Sequence, residues 1–92
     1  MNVRVRIFGD VASTVGNKHD IELEDGSTVR HLANVLAAKA GQTRQGYLGE
    51  FKVGGADLAV IVNGKNIQLL DGVETKLSDE DDVVIMPFVV GG

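Results

Sequence analysis

Apolar and basic residues alternate at the start of the chain. Residues 3–7 read VRVRI, and this period of two is typical of a strand with one face on a core and the other in water. Phe8 falls on the arginine side of the pattern. After a polar loop that contains Gly9 and Gly16, residues 19–24 alternate again. The two segments predict a hairpin with a long loop.

Helical periodicity follows in residues 28–41. One stripe of apolar side chains recurs at the spacing of a helix and consists of Val29, Leu32, Ala33, Leu36 and Ala40. Ser27 or Thr28 can cap the first turn, and Gly41 stands where a left-handed C-terminal cap would lie. The pattern predicts one main helix. Residues 42–57 lack clean periodicity and are rich in glycine, so we expect a surface excursion with a short helical turn around residues 47–51.

The last third of the chain reads as three further strands. Residues 58–62 are an unbroken apolar run, and Asn63-Gly64 is a strong signal for a tight turn into a short strand over residues 65–69. The final strand covers residues 83–86. Together with the first hairpin and the helix, this order predicts an α+β fold in two layers, with a mixed sheet of four or five strands covered on one face by one helix.

The loop before the final strand is acidic. Leu77 is expected to enter the core from it, and residues 78–82 read SDEDD. Clustered carboxylates suggest cation binding, but the spacing lacks the glycine and distal glutamate of a calcium loop. A solvated turn is therefore the favoured interpretation, and no metal site is predicted.

One helix can cover only one face of the sheet. The third and fifth predicted strands nevertheless carry apolar side chains at both odd and even positions, and therefore on both faces of the sheet. If the valines of the first strand face the helix, then Phe8, one parity of residues 60–62 and one parity of residues 84–86 share the uncovered face with Arg4 and Arg6. An apolar centre rimmed by charge is typical of a protein-docking surface. The alternative is ordinary exposure of a few apolar side chains.

Composition excludes several kinds of function. The 92 residues fit a single domain and include no cysteine, which rules out disulfides, thiolate metal sites and a cysteine nucleophile. His19 and His31 are the only histidines, and no nucleophile-base pair accompanies them, so the chain is not expected to be an enzyme. A formal charge of −4 opposes binding to nucleic acid. Because no signal peptide or membrane span is apparent, we expect a soluble, cytoplasmic protein. We also expect it to be a monomer when no partner is bound.

The C-terminal third carries a resemblance to a known family. Residues 58–92 resemble the MoaD-like proteins, particularly their archaeal branch, and share a Gly-Gly ending with ThiS and the small archaeal modifier proteins. The matching features are the Val62-Asn63-Gly64 turn, Asp71-Gly72, the acidic loop before Val83, Pro87 and the terminal Gly91-Gly92. One position departs from the family, whose pair of prolines is here Pro87 followed by Phe88.

The resemblance implies a β-grasp, or ubiquitin-like, domain over residues 1–87 and a flexible tail over residues 88–92. In this family an adenylating enzyme of the MoeB, ThiF or UbaA type uses ATP to activate the terminal carboxylate, here that of Gly92. The carrier itself binds no cofactor. The tail, from Pro87 through Phe88, Val89 and Val90 to Gly91 and Gly92, would deliver that carboxylate, and the docking surface implied for the enzyme comprises Phe8, Ile61, Met86 and Arg6.

The chemistry of the ending agrees with such a role. Glycine has no β-carbon, so a diglycine can pass through a narrow channel and can adopt backbone φ and ψ angles that other residues rarely adopt. The last five residues span at most roughly 17 Å when extended, which suits threading into a partner while the globular domain docks outside.

Three functions remain open from the sequence. The first is a sulfur carrier whose Gly92 thiocarboxylate supplies sulfur to molybdopterin or to tRNA, with a MoaE-like subunit as a further partner in the first case. The second is a protein modifier joined through Gly92 to lysines of target proteins, and archaeal relatives do both. The third is a ubiquitin-like interaction domain whose terminus takes part in no chemistry.

Overall fold

The computed structural model describes residues 1–42, 46–49, 51–55 and 57–87. The strands are β1 (Asn2–Ile7), β2 (Lys18–Glu22), β3 (Tyr47–Leu48), β4 (Phe51–Lys52), β5 (Leu58–Val62), β6 (Lys65–Asn66) and β7 (Asp82–Pro87). The helices are α1 (Asp10–Val15) and α2 (Val29–Lys39), and short 3-10 turns occupy Ile67–Leu69 and Gly72–Glu74. The predicted α+β architecture with one main helix is confirmed.

Five strands form one mixed sheet in the order β2-β1-β7-β5-β6. The first and last strands of the chain, β1 and β7, are parallel neighbours, and every other pair in this sheet is antiparallel. Because parallel strands end at the same edge of a sheet, the C-terminal ends of β1 and β7 lie side by side. The predicted first hairpin is confirmed as the antiparallel pair β1 and β2.

The core lies between the sheet and α2. Every second residue of β1 is buried, and the buried apolar cluster joins these side chains to the predicted stripe of the helix. Leu36, at the centre of that stripe, has no exposed surface, and Leu77 is buried as expected. Ala40 is only partly buried, and Ala37 takes the corresponding core position.

Both ends of α2 carry the predicted caps. The hydroxyl oxygen of Thr28 accepts a hydrogen bond of 3.3 Å from the backbone N–H of His31. At the other end Gly41 has a φ of +76°, and the N–H of Gln42 donates to the carbonyl of Ala37 at 2.9 Å. This reversal is the Schellman arrangement, which favours glycine because only glycine adopts a positive φ without a steric cost.

The segment between β1 and β2 was predicted as a polar loop, and this prediction is wrong. It forms α1, in which Val11 and Val15 stand four residues apart and both enter the core. Six residues make barely more than one and a half helical turns, so the sequence offers too short a window for the period of 3.6 to be recognised.

The expected helical turn around residues 47–51 is also absent from the described part of that segment. Residues 47–48 and 51–52 pair as the small antiparallel sheet of β3 and β4. Leu48 and Val53 are buried in the core, which explains why a Gly-rich segment is nonetheless held against the domain. Residues 43–45, 50 and 56 lie outside the described residues.

The fourth predicted strand, over residues 65–69, is shorter than expected. Only Lys65–Asn66 pairs with β5, and the chain then enters the 3-10 turn of Ile67–Leu69. The Asn66 side chain accepts a hydrogen bond of 2.9 Å from the N–H of Gln68, which caps this turn. Ile67, the first residue of this turn, is buried in the hydrophobic core.

Candidate functional site

The sheet has an open face, defined as the surface of β1, β7 and β5 turned away from α2. The side chains that it carries are Arg4, Arg6, Phe8, Ala59, Ile61, Asp82, Val84 and Met86. In the middle of the face, Val84 of β7 pairs with Arg6 of β1 on one side and with Ile61 of β5 on the other. The three strands therefore present one continuous surface.

The centre of the open face is apolar. Ile61, Val84 and Met86 are half-buried, and Phe8 at the end of β1 is 48% exposed. The N–H of Phe8 donates a hydrogen bond of 2.9 Å to the carbonyl of Ile85, so the ladder between β1 and β7 continues through Phe8. This bond keeps the phenyl ring at the edge of the sheet where β7 ends.

Charge is distributed unevenly along the β1 side of the open face. Arg4 has an acidic partner on each side, Asp20 in β2 and Asp82 in β7. Arg6 instead pairs with Lys18, another cation. Within the part of the chain that the structure describes, none of Arg4, Arg6 and Lys18 forms an ion pair, so the difference lies in the charge of their register neighbours. Like charges placed opposite one another disfavour the strand pair, so this end of the face can gain from an acidic partner.

The structure brings the four predicted docking residues onto one surface. Phe8, Arg6, Ile61 and Met86 all project from the open face, which fixes the parity that sequence reasoning left open for β5 and β7. Their role in docking stays a prediction. Pro87 is the last residue of β7 and follows Met86 directly. The remaining predicted tail residues, 88–92, lie outside the described residues.

Gly9 is a residue of this region that sequence reasoning did not single out. It caps α1 with φ 80° and ψ −163°, a backbone conformation that is essentially restricted to glycine. A β-carbon built at Gly9 would lie only 2.6 Å from Cδ of Pro87 and closer still to Cγ. The proline ring thus occupies the space that any larger residue at position 9 would need.

The acidic loop is organised by hydrogen bonds from the protein. The Asp81 carboxylate accepts from the Asn63 side chain and from the N–H of Ser78, both at 2.8 Å, and Asp79 accepts from the N–H of Asn2 at 2.7 Å. Among the residues described, no group of three or more acidic, histidine or cysteine side chains could hold a metal ion. The loop is a structured turn.

The two histidines lie in different elements, His19 in β2 and His31 in α2. His19 is half-buried, and its Nε2 lies 3.3 Å from the carbonyl oxygen of Gly16, while His31 is exposed on the first turn of α2. The helices in the described ranges are too short to cross a membrane.

The chain is a ubiquitin-like β-grasp protein. Its defining features are a mixed five-stranded sheet, in which the first and last strands of the chain are parallel neighbours, and one main helix that covers a single face of that sheet. The chain belongs to the ThiS family, whose model matches residues 5–92. The resemblance to MoaD-like and ThiS proteins is thereby confirmed. Relatives carry the names of small carriers and modifiers rather than of enzymes.

Two curated relatives from archaea align along their whole length with all of this chain. One, from Archaeoglobus fulgidus, is called "Putative sulfur carrier protein" and is 29% identical. The other, "Small archaeal modifier protein 3" from Haloferax volcanii, is 32% identical. A solved structure from Pyrococcus furiosus, named "Putative molybdopterin converting factor, subunit 1", is 27% identical with a TM-score of 0.74, and the match covers 97% of this chain and 99% of that chain.

Proposed function

We propose that this protein is a sulfur carrier whose Gly92 carboxylate is adenylated by an ATP-dependent activating enzyme and then converted to a thiocarboxylate. The observation that carries the proposal is the continuity of β7. This strand supplies Val84 and Met86 to the apolar centre of the open face and ends at Pro87, from which residues 88–92 lead to the diglycine. A partner that covers the face therefore lies beside Pro87, the residue after which the tail begins.

The distance between face and terminus sets the geometry of delivery. Five residues beyond Pro87 reach at most about 17 Å, so the reacting enzyme centre must lie within that distance of the edge where β1 and β7 end. Absence of β-carbons at Gly91 and Gly92 lets the backbone approach nucleotide phosphates closely. Docking through the globular domain offsets the entropy lost when the tail is ordered in the enzyme.

Activation changes a poor acyl donor into a good one. A terminal carboxylate repels nucleophiles and has no suitable leaving group. When one carboxylate oxygen bonds to the α-phosphorus of ATP, pyrophosphate leaves and a mixed anhydride with AMP forms. The acyl group no longer carries the carboxylate charge, and AMP can act as its leaving group. Attack by sulfide (HS⁻) on the carbonyl carbon expels AMP, releases one proton and leaves the thiocarboxylate. ATP belongs to the activating enzyme, and this chain contributes the acyl group and the docking surface.

The open face supplies the recognition. Phe8, Ile61 and Met86 are suited to an apolar patch on an activating enzyme of the MoeB, ThiF or UbaA type, and Arg6 to an acidic residue at its rim. The name of the Pyrococcus furiosus relative, a subunit of a converting factor, supports a second partner of the MoaE type on the same face. Molybdopterin is one candidate recipient of the sulfur and thiolated tRNA is another.

A second function is favoured by a specific similarity. The Haloferax volcanii relative is named a modifier protein, and it aligns over the full chain. The same acyl-adenylate could pass to the amine of a target lysine, which would form an amide at Gly92 and release AMP. The two functions share the activation step and differ only in the nucleophile.

The experiment is ATP-pyrophosphate exchange with a purified activating enzyme of the MoeB, ThiF or UbaA type from the same cell. Exchange that depends on this protein, and that is lost when Gly92 is removed, supports adenylation of the terminal carboxylate. Equal exchange with and without Gly92 would contradict it and would favour a non-covalent interaction domain. Addition of sulfide or of a target protein then separates the carrier from the modifier.

A further inference from the structure

We infer that Gly9 is a positioning residue, which sets the direction in which the C-terminal segment leaves the sheet by leaving room for the ring of Pro87. This inference rests on the proposed function, because its consequence is delivery of Gly92 to an enzyme. The juxtaposition that carries it is the packing of the α1 cap against the last residue of β7.

Gly9 and Pro87 meet because β1 and β7 run parallel. The N–H of Phe8 donates to the carbonyl of Ile85 as the last step of this ladder, which leaves the next residue of β1, Gly9, beside the end of β7. On its other side, Pro87 pairs with Leu58 of β5. The proline is therefore held between two elements at the point where the described chain stops.

The contact tolerates only glycine at position 9. An added β-carbon would approach Cδ of Pro87 to 2.6 Å, whereas carbon atoms in ordinary contact are separated by about 3.5 to 4.0 Å. The ring would have to move by roughly 1 Å. Because the proline ring is closed on the backbone nitrogen and fixes φ near −65°, a movement of the ring also moves the backbone of Pro87 and the peptide unit that follows it.

A small displacement at Pro87 matters for an acyl group that must reach a phosphate. The tail has little slack to absorb such a shift once it is extended in an enzyme channel, and misplacement of a reacting group by about 1 Å can slow an enzymatic step by about 100-fold. The docking residues Phe8 and Met86 adjoin the two residues in contact, but their backbones are held by the bond from the Phe8 N–H to the Ile85 carbonyl and by the pairing of Met86 with Ala59. A side chain at position 9 should therefore lower the rate of adenylation and leave recognition by the activating enzyme unchanged.

Gly16, at the other end of α1, provides a matched control. Its φ of 92° and ψ of 157° lie in the same glycine-only region as those of Gly9. A β-carbon there would meet only the imidazole tip of His19, at 3.2 Å, and a shift of that side chain by a few tenths of an ångström relieves the contact at the expense of its 3.3 Å approach to the Gly16 carbonyl oxygen. Gly9→Ala and Gly16→Ala therefore carry a similar backbone penalty, and only the first disturbs Pro87.

The kinetic test compares these variants by ATP-pyrophosphate exchange after thermal unfolding has shown that both fold. We expect the kcat of Gly9→Ala to fall roughly 10- to 100-fold below that of Gly16→Ala, with an unchanged KM for the carrier. The double variant Gly9→Ala/Pro87→Ala should be no slower than Pro87→Ala alone, since the ring that clashes is gone. Equal kcat values for the two alanine variants, or a change confined to KM, would overturn the inference.

A second measurement reports the direction of the chain without any enzyme. Because the chain has no cysteine, nitroxide labels can be placed on Phe88→Cys, the position directly after Pro87, and on Lys39→Cys of α2, and their distance distribution recorded. We expect the distribution to shift in Gly9→Ala and to stay unchanged in Gly16→Ala. An identical distribution in both would overturn the inference.

The distance measurement also decides the question in two cases in which the kinetic test cannot. If Gly9→Ala does not fold, the double variant Gly9→Ala/Pro87→Ala is compared with Pro87→Ala: recovered folding with matching distributions supports the inference, and failure of the double variant to fold overturns it. If the wild-type protein gives no exchange, the proposed function fails, and the label distances alone decide whether Gly9 directs the chain.

Discussion

The side chain of Asn63 donates a hydrogen bond of 2.8 Å to the carboxylate of Asp81, across the turn that joins β5 to β6 and the loop that precedes β7. The same amide accepts from the N–H of Asp82 at 2.9 Å, and the backbone N–H of Asn63 donates to the carbonyl of Asp82. Asn63 also has a positive φ of 50°. One residue therefore fixes the tight turn and anchors the acidic loop.

Replacement of Asn63 separates its two contributions. Asn63→Ala loses both side-chain hydrogen bonds and places a β-carbon at positive φ, so we expect a loss of about 2 kcal/mol in the free energy of unfolding. Asn63→Gly loses the same bonds without the steric cost and should lose about 1 kcal/mol. Urea unfolding measures both values. Equal losses for the two variants would show that the positive φ contributes nothing.

Phe8→Glu tests the docking surface. The change puts a carboxylate among the apolar side chains of the open face and should weaken binding to the activating enzyme by at least about 10-fold, the effect expected when a large aromatic contact of an interface is lost. Because Phe8 is 48% exposed, the unfolding midpoint should change little. Titration calorimetry with the purified enzyme measures the affinity.

Leu69→Glu is the control for that experiment. Leu69 is also a large apolar residue, 82% exposed, but it lies in the 3-10 turn beyond β6 and outside the open face. Its replacement should leave the affinity unchanged. Equal weakening by both variants would move the docking surface away from the open face.

Deletion of Gly91 and Gly92 separates activation from stability. The sequence predicts a flexible tail, so its last two residues should contribute little buried surface and the thermal unfolding profile should change little. Activation should be abolished for two reasons. The tail is two residues shorter, and its terminal carboxylate now belongs to Val90, whose branched side chain hinders close approach to the enzyme. Calorimetry and pyrophosphate exchange measure the two effects, and a large loss of stability would argue against a free tail.

Phe88→Pro tests the departure from the Pro-Pro pair of the family. A second proline would fix another φ and reduce the entropy that the chain loses when an enzyme binds it. If stiffness of the exit limits activation, kcat/KM for adenylation should rise several-fold. A fall would instead indicate that the phenyl ring of Phe88 contacts the enzyme, and Phe88→Leu would then retain part of the activity.

Much of the fold could be predicted because its main signals are local. The alternation in β1, the helical stripe of α2 and the Asn63-Gly64 turn each occupy a short window, and all three appear in the structure. The missed elements, α1 and the pair β3 and β4, are too short for a periodic pattern to emerge. Their buried residues, such as Val11 and Leu48, enter the core through contacts with distant parts of the chain.

The candidate site likewise contains residues that the sequence predicts and a contact that only the structure reveals. Alternation placed Phe8 opposite to the core side of β1, and the resemblance to a family pointed to Ile61 and Met86. The pairing of Gly9 with Pro87 joins residues near the two ends of the chain, and only the parallel register of β1 and β7 reveals it. Nothing in the local sequence distinguishes Gly9 from the other glycines.

The most direct test of the account is the intact mass of the protein purified from its own cells, with fragmentation to locate any change. We predict a species in which one oxygen atom is replaced by sulfur at Gly92. A digest of high-mass conjugates from the same cells shows whether Gly92 is also joined to lysines. A terminus that is found only as the free carboxylate, with no conjugates, would contradict the claim that Gly92 is an activated acyl group.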